Sequence, residues 1–298
     1  MKPLFFLACN MTDALIVSRF HNNLLIATPN ITQKKHFQNL ARWADQGKKL
    51  IIDSGVFEIC MKHARTHGLT LSGALSLAPE KLDGFPRLLD HFMDVASKLP
   101  EVFALVEMDV GGKESKRRMR AYLEGKGLKV APVFHPILDG WEYLDELGER
   151  YPIIFVGNVV DASPELRLRI NGRLQKWMQT HPNVWIHLLG LTPSPTIVAM
   201  PTHSCDSSAW LAATKFPDAW HGTAMWAKCG GFGQEMCVPR KRKHKNMNPL
   251  ATGNKIKAVV SLDEACQALS ADHYFEQLER IPEPCETTTA KPSRKRSR

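Results

Sequence analysis

The sequence predicts an α/β barrel of the (β/α)8 type, and three observations carry that expectation. Apolar, β-branched runs recur along most of the chain as continuous stretches rather than alternating ones, the pattern of parallel strands covered on both faces. Amphipathic stretches lie between them, so strand and helix alternate about eight times in roughly 220 residues, the length such a barrel needs. No glycine-rich nucleotide fingerprint is present, which disfavours an open doubly wound sheet.

The first strand is expected over residues 4–9, where the apolar run from Leu4 stops before Asn10, Thr12 and Asp13. Short and followed by polar residues, that run is expected to be a strand rather than a secretory leader. Further strands are expected over 24–28, 50–53, 103–109, 130–135, 153–157, 184–191 and 204–208. Helices are expected over 34–47, 81–99, 115–127, 140–150 and 164–180. In the last of these, Ser163 followed by Pro164 and Glu165 is a helix start, because proline lacks only an N–H that the first turn leaves unpaired. Beyond residue 221 the periodicity fades through Gly230-Gly231-Phe232-Gly233, and a short αβ piece returns at 258–269 and 272–280. The expected organisation is a barrel domain over 1–280 and a basic, disordered tail over 281–298.

No apolar run approaches the roughly 18 residues of a membrane span. Seven scattered cysteines, an odd number, read as reduced thiols of a cytoplasmic protein rather than a disulfide framework. The net charge of +9 is localised: Arg240, Lys241, Arg242, Lys243 and Lys245 carry five charges, residues 286–298 carry four, and the remainder is neutral. Two basic patches on a neutral body point to a polyanion such as nucleic acid. A solvated loop with a solubilising tail, or a nuclear import signal, would read the same way. Cys229, Cys237 and His244 invite a zinc reading, but their spacing fits no common finger. The expectation is therefore no metal and no cofactor, with zinc as the alternative.

Two segments place an aspartate where an apolar strand ends: Lys49-Leu50-Ile51-Ile52-Asp53-Ser54-Gly55, and Ser204-Cys205-Asp206-Ser207-Ser208. Parallel-sheet folds collect their sites at the carboxyl ends of strands. Two carboxylates facing one substrate can divide glycosyl transfer, one as nucleophile and one as proton carrier. Each also has an ordinary reading, Asp53 in an Asp-Ser-Gly turn and Asp206 as a capping residue. His135 and His187 end strands and are candidates for substrate or phosphate contact, or for a structural role. Glu107 and Asp109, two apart on one strand, are expected on the same face, with an ion pair to Lys116, Arg117, Arg118 or Arg120 as the alternative for either.

Read together, these segments resemble the tRNA-guanine transglycosylase superfamily, closest to its short phage-type branch, the DNA 7-deazaguanine transglycosylases. Asp53-Ser54-Gly55-Val56-Phe57-Glu58 is similar to the family's aspartate-serine-glycine-glycine-aromatic-glutamine motif. Val106-Glu107-Met108-Asp109 resembles the strand with the base-reading aspartate. Pro132-Val133-Phe134-His135 and Phe155-Val156-Gly157-Asn158 fall where the next two strands of the family end. His187-Leu188-Leu189-Gly190-Leu191 followed by Asp206-Ser207-Ser208-Ala209-Trp210 is most like the phage branch. Val56 replaces a glycine, Glu58 a glutamine, Asn158 interrupts a glycine-rich loop, and the compact Cys-x-Cys-x-x-Cys zinc motif of the tRNA enzymes is missing.

The resemblance, which spans roughly residues 50–210, implies exchange of guanine in DNA for a 7-deazaguanine base through an aspartyl intermediate. It assigns Asp206 as nucleophile, Asp53 as general acid and base, and Asp109, with Glu107 as its rival, as reader of the guanine donor edge. Phe57 would stack on the base; Gly157, Asn158, Leu189 and His187 would complete its pocket. Arg117 and Arg118, with Arg240, Lys241, Arg242 and Lys243, are expected to follow phosphates, with a solvated helix face as the alternative. Exchange on tRNA is the rival activity, and a non-catalytic nucleic-acid-binding barrel is the rival of another class. The expected location is the cytoplasm, that of a host if the chain is phage-encoded.

Overall fold

The computed structural model describes residues 4–19, 21–160, 162–191 and 202–208. It is an α/β fold of alternating parallel strands and helices around one curled sheet. The chain runs β1 (Leu4–Ala8), α1 (Met11–Val17), β2 (Asn23–Ala27), α2 (Lys34–Asp45), β3 (Lys49–Asp53), α3 (Val56–His67), α4 (Leu71–Leu75) and α5 (Phe85–Ala96). It continues β4 (Ala104–Leu105), α6 (Gly112–Gly125), β5 (Val133–Phe134), α7 (Trp141–Gly148), β6 (Ile153–Val156), α8 (Pro164–Thr180), β7 (Trp185–Leu188) and β8 (Ser204–Ser207). The eight expected strands all form; six are shorter than expected, and β4 and β5 are reduced to two residues each.

The sequence does not announce α1, α3 and α4. Asn10 starts α1 by accepting a hydrogen bond from the Asp13 amide at 2.9 Å, which satisfies one of the unpaired donors of a first turn. Gly55 starts α3 with φ +85, and a Cβ there would lie 2.6 Å from Pro29 Cδ, so only glycine fits. Helix α5 begins later than expected, at Phe85, because Pro79 opens a separate 3-10 turn and Gly84 (φ +83) turns the chain before it.

Alternation along the strands builds two apolar layers. Phe6, Leu25, Ile51, Val106, Val133 and Phe155 pack together inside the curl. Their neighbours in sequence, among them Leu7, Leu24, Ile52, Phe134 and Ile154, join Trp43, Phe92, Tyr143 and Leu174 between sheet and helices.

The ladder runs β4-β3-β2-β1-β8-β7-β6-β5, all parallel. A regular closed barrel is expected from the sequence; here the sheet is curled but open between β4 and β5, spanned by a single bridge at Val106 and Ala131. Side chains explain the seam. After Glu107 N–H donates to Ala131 O, the next ladder bonds would join Val133 to the 107–109 backbone. Instead Val133 N–H donates to Glu107 Oε1 at 2.7 Å, and Val133 O accepts from Lys116 Nζ at 2.9 Å. Arg120 Nε holds Glu107 Oε2 at 2.7 Å, and Lys116 pairs with Asp139. All four charged residues are buried.

A buried pair is strongly destabilised when one partner is removed, since the other is left as an uncompensated charge. Lys116→Met is therefore expected to cost about 3–5 kcal/mol of stability, aggravated because Asp139 Oδ1 already lacks a partner. Urea unfolding measures it. Lys116→Met with Asp139→Leu should recover only the part owed to the unpaired carboxylate, because Val133 O and His135 N–H lose the side chains that bond them; an unshifted midpoint in the single variant would show that the pair does not hold the seam.

Candidate active site

The carboxyl ends of all eight strands surround one cavity of about 560 Å³, within the range of small-molecule sites. Asp53 and Asp206, distant in sequence, both line it, together with Asp109, His135 and Glu58. Among the described residues no lysine or arginine lines this cavity, so its walls are acceptor-rich.

Asp206 sits on β8 beside β7, and a hydrogen-bonded chain reaches it from behind. Trp185 Nε1 donates to Ser204 Oγ at 2.7 Å, and Ser204 Oγ lies 2.7 Å from His187 Nδ1. His187 Nε2 lies 3.1 Å from Asp206 Oδ1. With Ser204 Oγ donating to Nδ1, the His187 proton resides on Nε2 and is donated to the carboxylate. The Gly190 amide donates to the same oxygen at 3.0 Å. Both contacts fall on Oδ1, which leaves Oδ2 as the oxygen available to whatever enters. His187 is fully buried between Phe6 and Phe155. It lies behind Asp206 and does not line the cavity, which matches the structural alternative rather than substrate contact.

Asp53 ends β3 and accepts a hydrogen bond from the Gly55 amide at 3.0 Å. Its surroundings otherwise oppose ionisation. Burial, then the negative charge of Asp109, push its pKa up to about 7, with Asp206 and Glu58 adding smaller repulsions against the Gly55 amide. Near neutrality Asp53 is thus poised between a proton donor and a proton acceptor.

Asp109 lines the cavity and its Oδ2 lies 3.0 Å from His135 Nε2. Burial, then the charge of Lys116, lowers the pKa of His135 despite Asp109 beside it. Glu107 goes elsewhere, into the buried pair with Arg120. The expectation that both share one strand face fails because regular pairing stops at the Val106 bridge, after which the chain turns and period two no longer applies. Gly157 admits His135, since a Cβ there would meet His135 Nε2 at 3.0 Å. Asn158 is left-handed (φ 56) and pairs with Ser72 of α4 at 3.2 Å, drawing that helix to the rim. Leu189 forms apolar wall, and Phe57 stands half-exposed at the mouth.

The basic residues divide. Arg117 pairs with Glu114 and Glu146 and lies against Tyr143, while Arg118 is exposed on α6; neither lines the cavity. Arg240, Lys241, Arg242, Lys243, Lys245, the group Cys229, Cys237 and His244, Ala209, Trp210 and the tail lie outside the described residues. Cys9, Cys60 and Cys205 are buried and none is in a disulfide. Among the described residues no helix is long and apolar enough to cross a membrane.

Ser204, Trp185 and Gly190 are site residues that sequence reading missed. The alternation Trp185, His187, Leu189 on one strand and Ser204, Asp206 on the next was their available signal. No family model matches the chain, and no curated protein matches it.

Proposed function

We propose that this chain is a base-exchange glycosyltransferase that replaces guanine in a nucleic acid, DNA in preference to tRNA, with a 7-deazaguanine derivative. The observation that carries the reading is the unequal treatment of two carboxylates in one cavity. Asp206 is held by the His187 and Gly190 donors, and Asp53 is tuned to carry a proton near neutrality. Environments that set two carboxyls apart assign them different tasks.

In this mechanism Asp206 Oδ2 attacks the anomeric carbon while the glycosidic electron pair leaves with the purine, and Asp53 gives its proton to that base. The sugar remains as an ester of Asp206. An incoming 7-deazaguanine then loses its ring N–H proton to the Asp53 carboxylate and attacks the same carbon, releasing Asp206. Two displacements retain configuration. The acceptor-rich cavity suits a guanine-like edge, which presents N–H donors to Asp109. Its size suits a nucleotide swung out of its stack. Among the described residues no lysine or arginine lines it, so in this reading phosphate contact falls to residues elsewhere, such as the localised charge of residues 240–245 and the tail. In architecture we read the fold as a (β/α)8 barrel whose β4–β5 seam is sealed by side chains in place of backbone. The preference for DNA rests on the phage-like motifs and on the missing cysteine-rich zinc motif.

Nucleoside mass spectrometry of DNA and tRNA tests the proposal, using cells that express the chain beside a deazaguanine supply. A deazaguanine deoxynucleoside in the DNA is expected. Modification confined to tRNA would move the substrate to the rival class, and no modified nucleoside in either would contradict exchange.

A further inference from the structure

We propose that His63, His67 and Asp83 form a binding site for a divalent transition metal of the zinc class, which staples the end of α3 to the turn before α5. His63 and His67 are one helical turn apart on α3, so their rings share a face, with centroids 4.2 Å apart. Both aim a nitrogen at one oxygen: His63 Nδ1 lies 3.0 Å and His67 Nε2 2.8 Å from Asp83 Oδ2. The three ligand atoms lie within 4.8 Å of one another.

Tetrahedral zinc with ligands at about 2.0–2.1 Å separates neighbouring ligand atoms by about 3.3 Å, so a small rotation of the exposed Asp83 side chain opens room for the ion. Asp83 N–H also lies 3.3 Å from His63 Nδ1, a long contact that metal capture releases. Two imidazoles and one carboxylate suit zinc, cobalt or nickel over magnesium or calcium, which prefer oxygen alone. His63 is buried and fixed, whereas the His67 and Asp83 side chains are 47% and 68% exposed and leave an entry path. Three protein ligands keep a position open for water, so the site is open rather than sealed.

The staple has a structural consequence. Helix α3 carries Phe57 and Glu58 of the cavity rim on its first turn, and α5 is bonded through His91 Nε2 to Thr28 O at 2.9 Å. Thr28 in turn donates to Ser54 O beside Asp53. A metal at His63, His67 and Asp83 joins these two helices across Asp83 without touching the catalytic carboxylates, and the site stands whether or not the exchange reading does.

The test uses the full chain, stripped with chelator, then titrated with Co²⁺ for its absorption spectrum and with Zn²⁺ during thermal unfolding. One ion on nitrogen and oxygen ligands is expected, and saturating Zn²⁺ should raise the midpoint by about 5 °C. His67→Ala and Asp83→Asn, both at exposed positions, should each lower the stoichiometry by one and abolish the rise. Cys229→Ser should leave this site intact. Should His67→Ala fail to fold, Asp83→Asn gives the same reading alone. Stoichiometry and midpoint rise unchanged in the variants, or binding that disappears with Cys229→Ser alone, would overturn the proposal.

Discussion

Asp206→Asn is expected to reduce base exchange by about 10⁴-fold or more, the scale of losing a covalent nucleophile. The substitution is close to isosteric, and an amide oxygen can still accept from Gly190 N–H, so the fold should survive. What disappears is the negative charge that, on the proposed mechanism, attacks the anomeric carbon and holds the sugar. On the proposed mechanism the buried chain from Trp185 through Ser204 and His187 holds that charge in place, and Asn carries none. Stopped exchange assays with labelled guanine measure the loss, with circular dichroism as the control for folding. Residual exchange within tenfold of wild type would remove Asp206 from the chemistry.

Asp53→Asn should slow exchange by about 10²–10⁴-fold, the range for losing a general acid and base. It also has a pH signature. Wild-type rates should fall above about pH 7, where Asp53 gives up the proton destined for the leaving base, and the variant should lack that limb. Stability has a pH signature of its own. The raised carboxyl binds its proton more tightly in the folded protein than in the unfolded chain, where its pKa is about 4. The folded state therefore loses stability as pH rises from about 4 to about 7, and the penalty is complete above that. An asparagine escapes it. Asp53→Asn should match wild type in thermal midpoint at pH 4 and exceed it at pH 8, by an amount of order a few kcal/mol in stability. An equal midpoint difference at both pH values would mean that the Asp53 carboxyl is not forced to ionise at a cost.

Strand positions were legible because six of the eight are runs of apolar residues that need cover on both faces, and that pattern survives in any context. The ends of β4 and β5 were not. Glu107, Lys116, Arg120 and Asp139 replace ladder bonds there, and nothing in local sequence distinguishes a carboxylate that completes a sheet from one on a solvated surface. Helix α3 was hidden for a related reason: its start is Asp-Ser-Gly, turn material, and its helical character follows from Gly55 fitting against Pro29. At the site, Asp53 and Asp206 were legible from strand-end placement and meet in one cavity. The role of His187 was not, because whether a strand-end histidine faces substrate or lies under a carboxylate depends on the neighbouring strand's register. That register pairs His187 with Ser204, placing Asp206 one pleat further along. Arg117 reads as a phosphate contact from its place after the strand that carries Asp109, yet Glu146, some thirty residues on, pairs with its guanidinium.

The division of labour between the two aspartates is tested most directly by trapping the covalent intermediate. A labelled DNA oligonucleotide is incubated with the full chain in the absence of an incoming base, resolved on a denaturing gel, and the adduct mapped by peptide mass spectrometry. The sugar should be attached to Asp206, no adduct should form with Asp206→Asn, and Asp53→Asn should form one only with a leaving base that needs no protonation. An adduct mapped to Asp53, or one that persists in Asp206→Asn, would contradict the assignment.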